Sequence, residues 1–114
     1  MILKTYKVIV TPDAETDLTE IRNYIAEILL MPETARQYLK DLKEAMAELS
    51  HMGASVAPVS DEPWHSRGVR KIRRNNFYIY FRVNDNTGVI FIMNVIYIGR
   101  DQLNALKHSK ADNR

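Results

Sequence analysis

The sequence predicts an α+β fold in which a helical hairpin covers one face of a small antiparallel sheet. Two observations carry this. Apolar residues recur three and four positions apart between Ala14 and Leu49, the period of a helix face, and two apart from Phe77 onward, the period of a strand. Helices grouped in the first half and strands in the second make an α+β pattern, in which each apolar stripe needs the other layer to bury it.

Thr5 to Val10 alternates Tyr6, Val8 and Val10 with Thr5, Lys7 and Ile9, and its β-branched content suits an N-terminal strand. Thr11-Pro12 ends that strand and starts a helix. Thr11 is a good N-cap, Pro12 is tolerated in the first turn, and Asp13 and Glu15 place negative charge at the positive end of the helix dipole. Ala14, Leu18, Ile21, Ile25 and Ile28 share one face, with Glu15, Asp17, Glu20 and Arg22 off it. Met31-Pro32 breaks the run. Ala35, Leu39, Leu42, Met46 and Leu49 form the stripe of a second helix that stops at Gly53 as a C-terminal cap. The tight connection makes the pair an antiparallel hairpin.

Ala54 to Gly68 has neither period and contains Pro58, Ser60, Asp61, Pro63 and Ser66, so it reads as a loop, pinned to the core by Trp64. From Val69 the period is two. After a turn at Arg74-Asn75-Asn76, Phe77, Ile79, Phe81 and Val83 point to one side of a strand and Tyr78, Tyr80 and Arg82 to the other. Asn84 to Gly88 is a turn signal, and the apolar run Val89 to Ile98 suits a central strand covered on both sides, completing a three-stranded antiparallel meander. Gly99 ends it. Asp101 to Leu106 form a short C-terminal helix, and His108 to Arg114 are expected to be a flexible tail.

At 114 residues the chain has the length of a single domain, 1–114, and its 46% hydrophobic content supports one core. The absence of cysteine excludes disulfides and thiolate zinc sites, and His51, His65 and His108 show no ligand spacing. No metal and no cofactor are therefore expected. The N-terminus lacks the pattern of a secretion signal and no apolar run is long enough for a bilayer, so the expected setting is the cytoplasm, with no membrane partner.

A net charge of +2 says little, but its distribution says more. Arg67, Arg70, Lys71, Arg73, Arg74 and Arg82 lie in a stretch with no acid, whereas most carboxylates fall between Asp13 and Glu48. A polyanion would prefer the C-terminal half. By the alternation, Lys71, Arg73, Tyr78, Tyr80 and Arg82 share the sheet face away from the helices, a mixture of cations and aromatics suited to RNA or to an acidic partner. The alternatives are a solvated sheet face for the cations and cross-strand packing for the aromatics.

The order of these elements, the stretch Val69-Arg-Lys-Ile-Arg-Arg-Asn-Asn-Phe-Tyr-Ile-Tyr-Phe-Arg-Val and the ending Val95-Ile-Tyr-Ile-Gly-Arg-Asp101 resemble the RelE/ParE toxin superfamily. The resemblance extends over nearly the whole chain. Pro12-Asp-Ala-Glu-Thr-Asp-Leu18, followed by Ile21 and Tyr24-Ile25, looks like the opening helix of ParE-type members. It implies a toxin held inactive by a cognate antitoxin and acting by one of two routes. RelE-like members cut messenger RNA in the ribosomal A site, and ParE-like members poison DNA gyrase.

For the ribonuclease route the resemblance assigns Lys71, Arg73 and Arg100 as catalytic cations around a phosphate; the remaining cations and aromatics of the stretch, Arg70, Arg74, Tyr78, Tyr80 and Arg82, are the candidate substrate contacts. Such a cleavage also needs proton transfer, for which Tyr78, Tyr80, Tyr97, His65 and His108 are the candidates. Three positions depart from the ribonuclease pattern. Tyr78 stands where an arginine is common, Val69 replaces a lysine, and Leu106 replaces a C-terminal tyrosine. The long hairpin and Gly99-Arg100-Asp101 look more like the ParE side, which needs no nuclease site. A decayed toxin that keeps only antitoxin binding is the third reading. For Arg100, an ion pair with Asp101 or Asp85 is the structural alternative.

Overall fold

The computed structural model describes residues 4–107. Strand β1 (Lys7–Val10) leads into helix α1 (Pro12–Asn23), helix α2 (Pro32–Met52), strands β2 (Val69–Arg74), β3 (Phe77–Asn84) and β4 (Val89–Tyr97), and a short helix α3 (Gln102–Lys107). The tail beyond Lys107, with His108, lies outside the described residues.

The sheet order is β1-β4-β3-β2. The expected meander is present, with β2 antiparallel to β3 and β3 to β4. β1, however, pairs with β4 in parallel, so the sheet is mixed where an antiparallel one was expected. The hairpin carries the chain from β1 to the far edge at β2, and the meander then returns toward β1. β4 is therefore central, as its apolar run requires.

Thr11 caps α1 as expected: its Oγ accepts from the Ala14 N–H at 3.3 Å and donates to the Ile92 carbonyl at 2.7 Å, which ties the helix start to β4. Ala14, Leu18 and Ile25 are buried, but Ile28 is 68% exposed. The cause is a π-helical turn over Tyr24–Ile28, in which the Leu29 N–H reaches the Tyr24 carbonyl five residues back. The extra residue per turn rotates Ile28 off the stripe. Leu29, Leu30 and Met31 follow it into solvent, and Leu30 sits at φ 56°.

α2 buries Leu42, Ala45, Met46 and Leu49 against the sheet, and Ala35 is buried in its first turn. It ends at Gly53, but not by a left-handed cap, because Gly53 has φ −59°. Close approach explains the glycine instead. A Cβ here would lie 2.8 Å from Ile90 Cδ1 and 3.3 Å from the Phe81 ring.

Two core clusters result. The larger lies between hairpin and sheet and contains Phe77, Ile79, Phe81, Ile90, Ile92 and Val95. The second lies on the opposite sheet face, where Trp64 from the 56–68 loop and Leu106 from α3 pack on Val69, Tyr80, Met93 and Ile96. The β3–β4 register shifts between Tyr80, opposite Asn94, and Phe81, opposite Ile92, so Met93 is the extra residue of a bulge.

Candidate functional site

Antiparallel pairing sets Lys71 opposite Tyr80, Arg73 opposite Tyr78 and Val69 opposite Arg82, which puts the five expected side chains on the face away from the hairpin. The Lys71 ammonium lies 4.2 Å from the centre of the Tyr78 ring and 6.0 Å from that of Tyr80. These contacts hold the cation beside the sheet through the ring quadrupoles. Arg73 is exposed, and its Nε donates to the Asn75 carbonyl at 3.3 Å.

This face is more closed than its alternation suggests. Tyr80 is only 2% exposed, beneath the loop and α3, and its hydroxyl donates to Gln102 Oε1 at 3.0 Å. Burial pushes its phenol up to about 12, further from the range of a base at neutral pH, and the covered ring is closed to a passing base. Two of the departures from the ribonuclease pattern belong to the same enclosure. Val69 is 0% and Leu106 2% exposed, both packed with Trp64.

Arg70 and Arg74, expected as substrate contacts, alternate to the hairpin side. Arg74 pairs with Glu48 of α2 at 3.2 Å, and Arg70 Nη1 donates to the Gly53 carbonyl at 3.4 Å. Both are drawn toward the second helix, away from Lys71 and Arg73.

Arg100 is exposed just after β4 and lines a groove of about 600 Å3 on the hairpin side, together with Asp17, Tyr24, Leu29 and Tyr97. Lys71 instead lines a pocket of about 180 Å3 on the other face. The three residues assigned to one phosphate are thus divided between the two sides of the sheet. The expected carboxylate partners of Arg100 are engaged elsewhere: Asp101 accepts from the Asn104 N–H at the start of α3, and Asp85 accepts the Tyr6 hydroxyl and pairs with Lys4 at 3.7 Å.

The other proton-transfer candidates are scattered. His65 Nδ1 lies 2.8 Å from the Val59 carbonyl, within its loop. Tyr97 packs edge-on against Phe77 with ring centres 6.0 Å apart. Among the described residues, no three His, Asp or Glu side chains come together as a metal site, and no helix is long and apolar enough to cross a membrane.

Sequence reasoning missed Asp17, which it placed off the apolar stripe of the first helix. Its Oδ2 accepts from the Val95 N–H at 2.9 Å and from Asn94 Nδ2 at 3.0 Å, at the edge of the Arg100 groove. Burial raises its pKa, only partly offset by the Val95 and Asn94 hydrogen bonds. Its only signal in the sequence is its position beside Leu18, next to the buried stripe.

Comparison with known proteins agrees with this architecture. No curated protein matches the chain significantly. Among solved structures, the chromosomal ParDE toxin–antitoxin system from P. aeruginosa includes a chain 26% identical, with a TM-score of 0.68, covering 83% of this chain and 98% of that one. The RelBE2 toxin–antitoxin complex from Mycobacterium tuberculosis gives 21% identity and 0.56 over 82% and 98%, and a mutant of the E. coli toxin RelE in the free state gives 13% and 0.59 over 89% and 92%. The last two show likeness of fold. A family model for the ParE toxin of the parDE type II toxin–antitoxin system matches residues 8–101, and the chain belongs to that ParE toxin family.

Proposed function

We propose that this toxin arrests growth by binding and poisoning DNA gyrase in the cytoplasm, without nuclease activity, and that a cognate antitoxin holds it inactive. The observation that carries this reading is the division of Arg100 from Lys71, across the two sides of the sheet. Ribosome-dependent cleavage of messenger RNA needs cations converging on one phosphate with a proton acceptor beside them. Here Tyr80 is enclosed and the positions of two further polar groups are filled by Val69 and Leu106. A poison that works by binding needs no such convergence.

The antitoxin is supported by the P. aeruginosa and M. tuberculosis structures, both described as toxin–antitoxin assemblies. The groove beside Arg100 and the exposed side chains of Tyr24, Leu29 and Leu30 make an apolar surface of the kind that protein partners cover.

The test uses the full chain freed from antitoxin. Incubated with gyrase and supercoiled plasmid, it is expected to trap cleavage complexes that release linear DNA after protein digestion, while messenger RNA in a translating extract stays intact. Cut messenger RNA with undamaged plasmid overturns the proposal in favour of the ribonuclease. Neither effect, with normal growth on induction, identifies a decayed toxin.

A further inference from the structure

The tip of the helical hairpin carries four consecutive apolar residues, Ile28, Leu29, Leu30 and Met31, each between 46% and 79% exposed. Tyr24, exposed at the start of the π-helical turn, joins them. This exposure is built into the backbone. The π-helical turn rotates Ile28 off the buried stripe, and the Met31 N–H donates to the Ile25 carbonyl at 3.0 Å, closing a turn that holds Leu30 at φ 56°. A bulky residue avoids that region unless the surrounding structure imposes it, and such strain collects at functional positions. The five side chains expose on the order of 500 Å2, comparable with the largest apolar patch of an ordinary monomer.

The tip adjoins a groove of matching character. Tyr24 and Leu29 belong to both, and Tyr38, Phe77 and Tyr97 extend the wall of the groove, whose volume of about 600 Å3 has room for several side chains. Charge does not oppose filling it with an apolar knob. Of the acids that flank the tip, Glu33 pairs with Arg36 at 2.7 Å, and Glu27 is in no ion pair among the described residues. In the groove, Asp17 is committed to Val95 and Asn94, while Glu20 and Arg100 are exposed and in no ion pair among the described residues. Arg100 is therefore available to the unpaired Glu27 of an incoming tip.

A second copy of the chain supplies both halves at once. Because knob and groove adjoin through Tyr24 and Leu29, a twofold axis beside them lets each copy fill the other, so that one contact becomes two. We infer that the toxin free of antitoxin forms a twofold dimer in which each copy seats Leu30 and its neighbours in the Arg100 groove of the other. Two tips and two grooves together bring the buried area above the roughly 1,000 Å2 that a specific interface needs. The inference goes beyond the gyrase reading, and a measurement of mass decides it whatever the target is.

Sedimentation equilibrium of the full chain freed from antitoxin, across the micromolar range, is expected to show the mass rising from one chain to two. Leu30→Glu puts a charge on the knob and is expected to weaken association about ten-fold or more, with the thermal transition of the dilute single chain unmoved. The chain has no cysteine, so introduced thiols report the orientation. Leu30→Cys mixed with Arg100→Cys under oxidation is expected to give more disulfide-linked dimer than either variant alone. A single chain at every concentration assigns the surface to a different protein partner and overturns the inference. A dimer untouched by Leu30→Glu, or crosslinking by either thiol alone that matches the mixture, overturns it as well.

Discussion

The carboxylate of Asp17 receives the backbone N–H of Val95 at 2.9 Å and so occupies the edge of β4 where β1 has already ended. A side chain from α1 completes a ladder that a strand would otherwise continue. Asp17→Ala is expected to lower stability by about 1–3 kcal/mol, the cost of leaving the Val95 and Asn94 donors unpaired. Chemical denaturation at fixed pH measures it.

The pH dependence follows from the direction of the Asp17 shift. Its folded pKa is raised, chiefly by burial, so its contribution is complete below the unfolded carboxylate range and declines as pH rises through the folded value. Asp85 works in the opposite sense. Its pKa is lowered, chiefly by the Tyr6 hydrogen bond, and its contribution is lost as pH falls. Asp17→Asn keeps an acceptor and removes the titration. The stability of wild type relative to Asp17→Asn should therefore fall as pH increases from about 4, the ordinary carboxylate range. A difference independent of pH would contradict the assignment.

Gly53→Ala is expected to destabilise by about 1–3 kcal/mol, because its Cβ would press on Ile90 and Phe81 in a packed core. The backbone at Gly53 is ordinary helical backbone, so a loss confirmed by thermal unfolding is steric in origin.

Leu30 gives the reverse case. It holds a left-handed φ of 56° and is 79% exposed, so Leu30→Gly removes steric strain at little loss of buried surface. A gain of about 1 kcal/mol is expected in a denaturant titration. A loss of similar size would mean that the side chain is held by contacts that its exposure does not reveal.

Much of this was legible in local chemistry. Thr11-Pro12 announced the start of α1, and the alternation through Phe77 to Val83 assigned the two sheet faces correctly, because caps and pleats depend on neighbouring residues alone. What was missed depends on distant contacts. Ile28 fits a 3.6-residue period that the π-helical turn interrupts, and Arg70 and Arg74, expected as substrate contacts, are turned by β2 toward α2. Tyr80 alternates outward, but the burial of its ring depends on Trp64 and Leu106, respectively 16 residues before and 26 after it. The parallel pairing of β1 is also silent in sequence, since a two-residue period is the same in either direction.

The most direct test is induction of the Lys71→Ala/Arg73→Ala double variant in growing cells, with gyrase cleavage complexes and messenger RNA integrity measured together. Retained growth arrest, with trapped gyrase and intact messenger RNA in both wild type and variant, is the predicted result. Messenger RNA cut by the wild type and spared by a folded variant that no longer arrests growth would contradict it, and would make the cationic face a nuclease site.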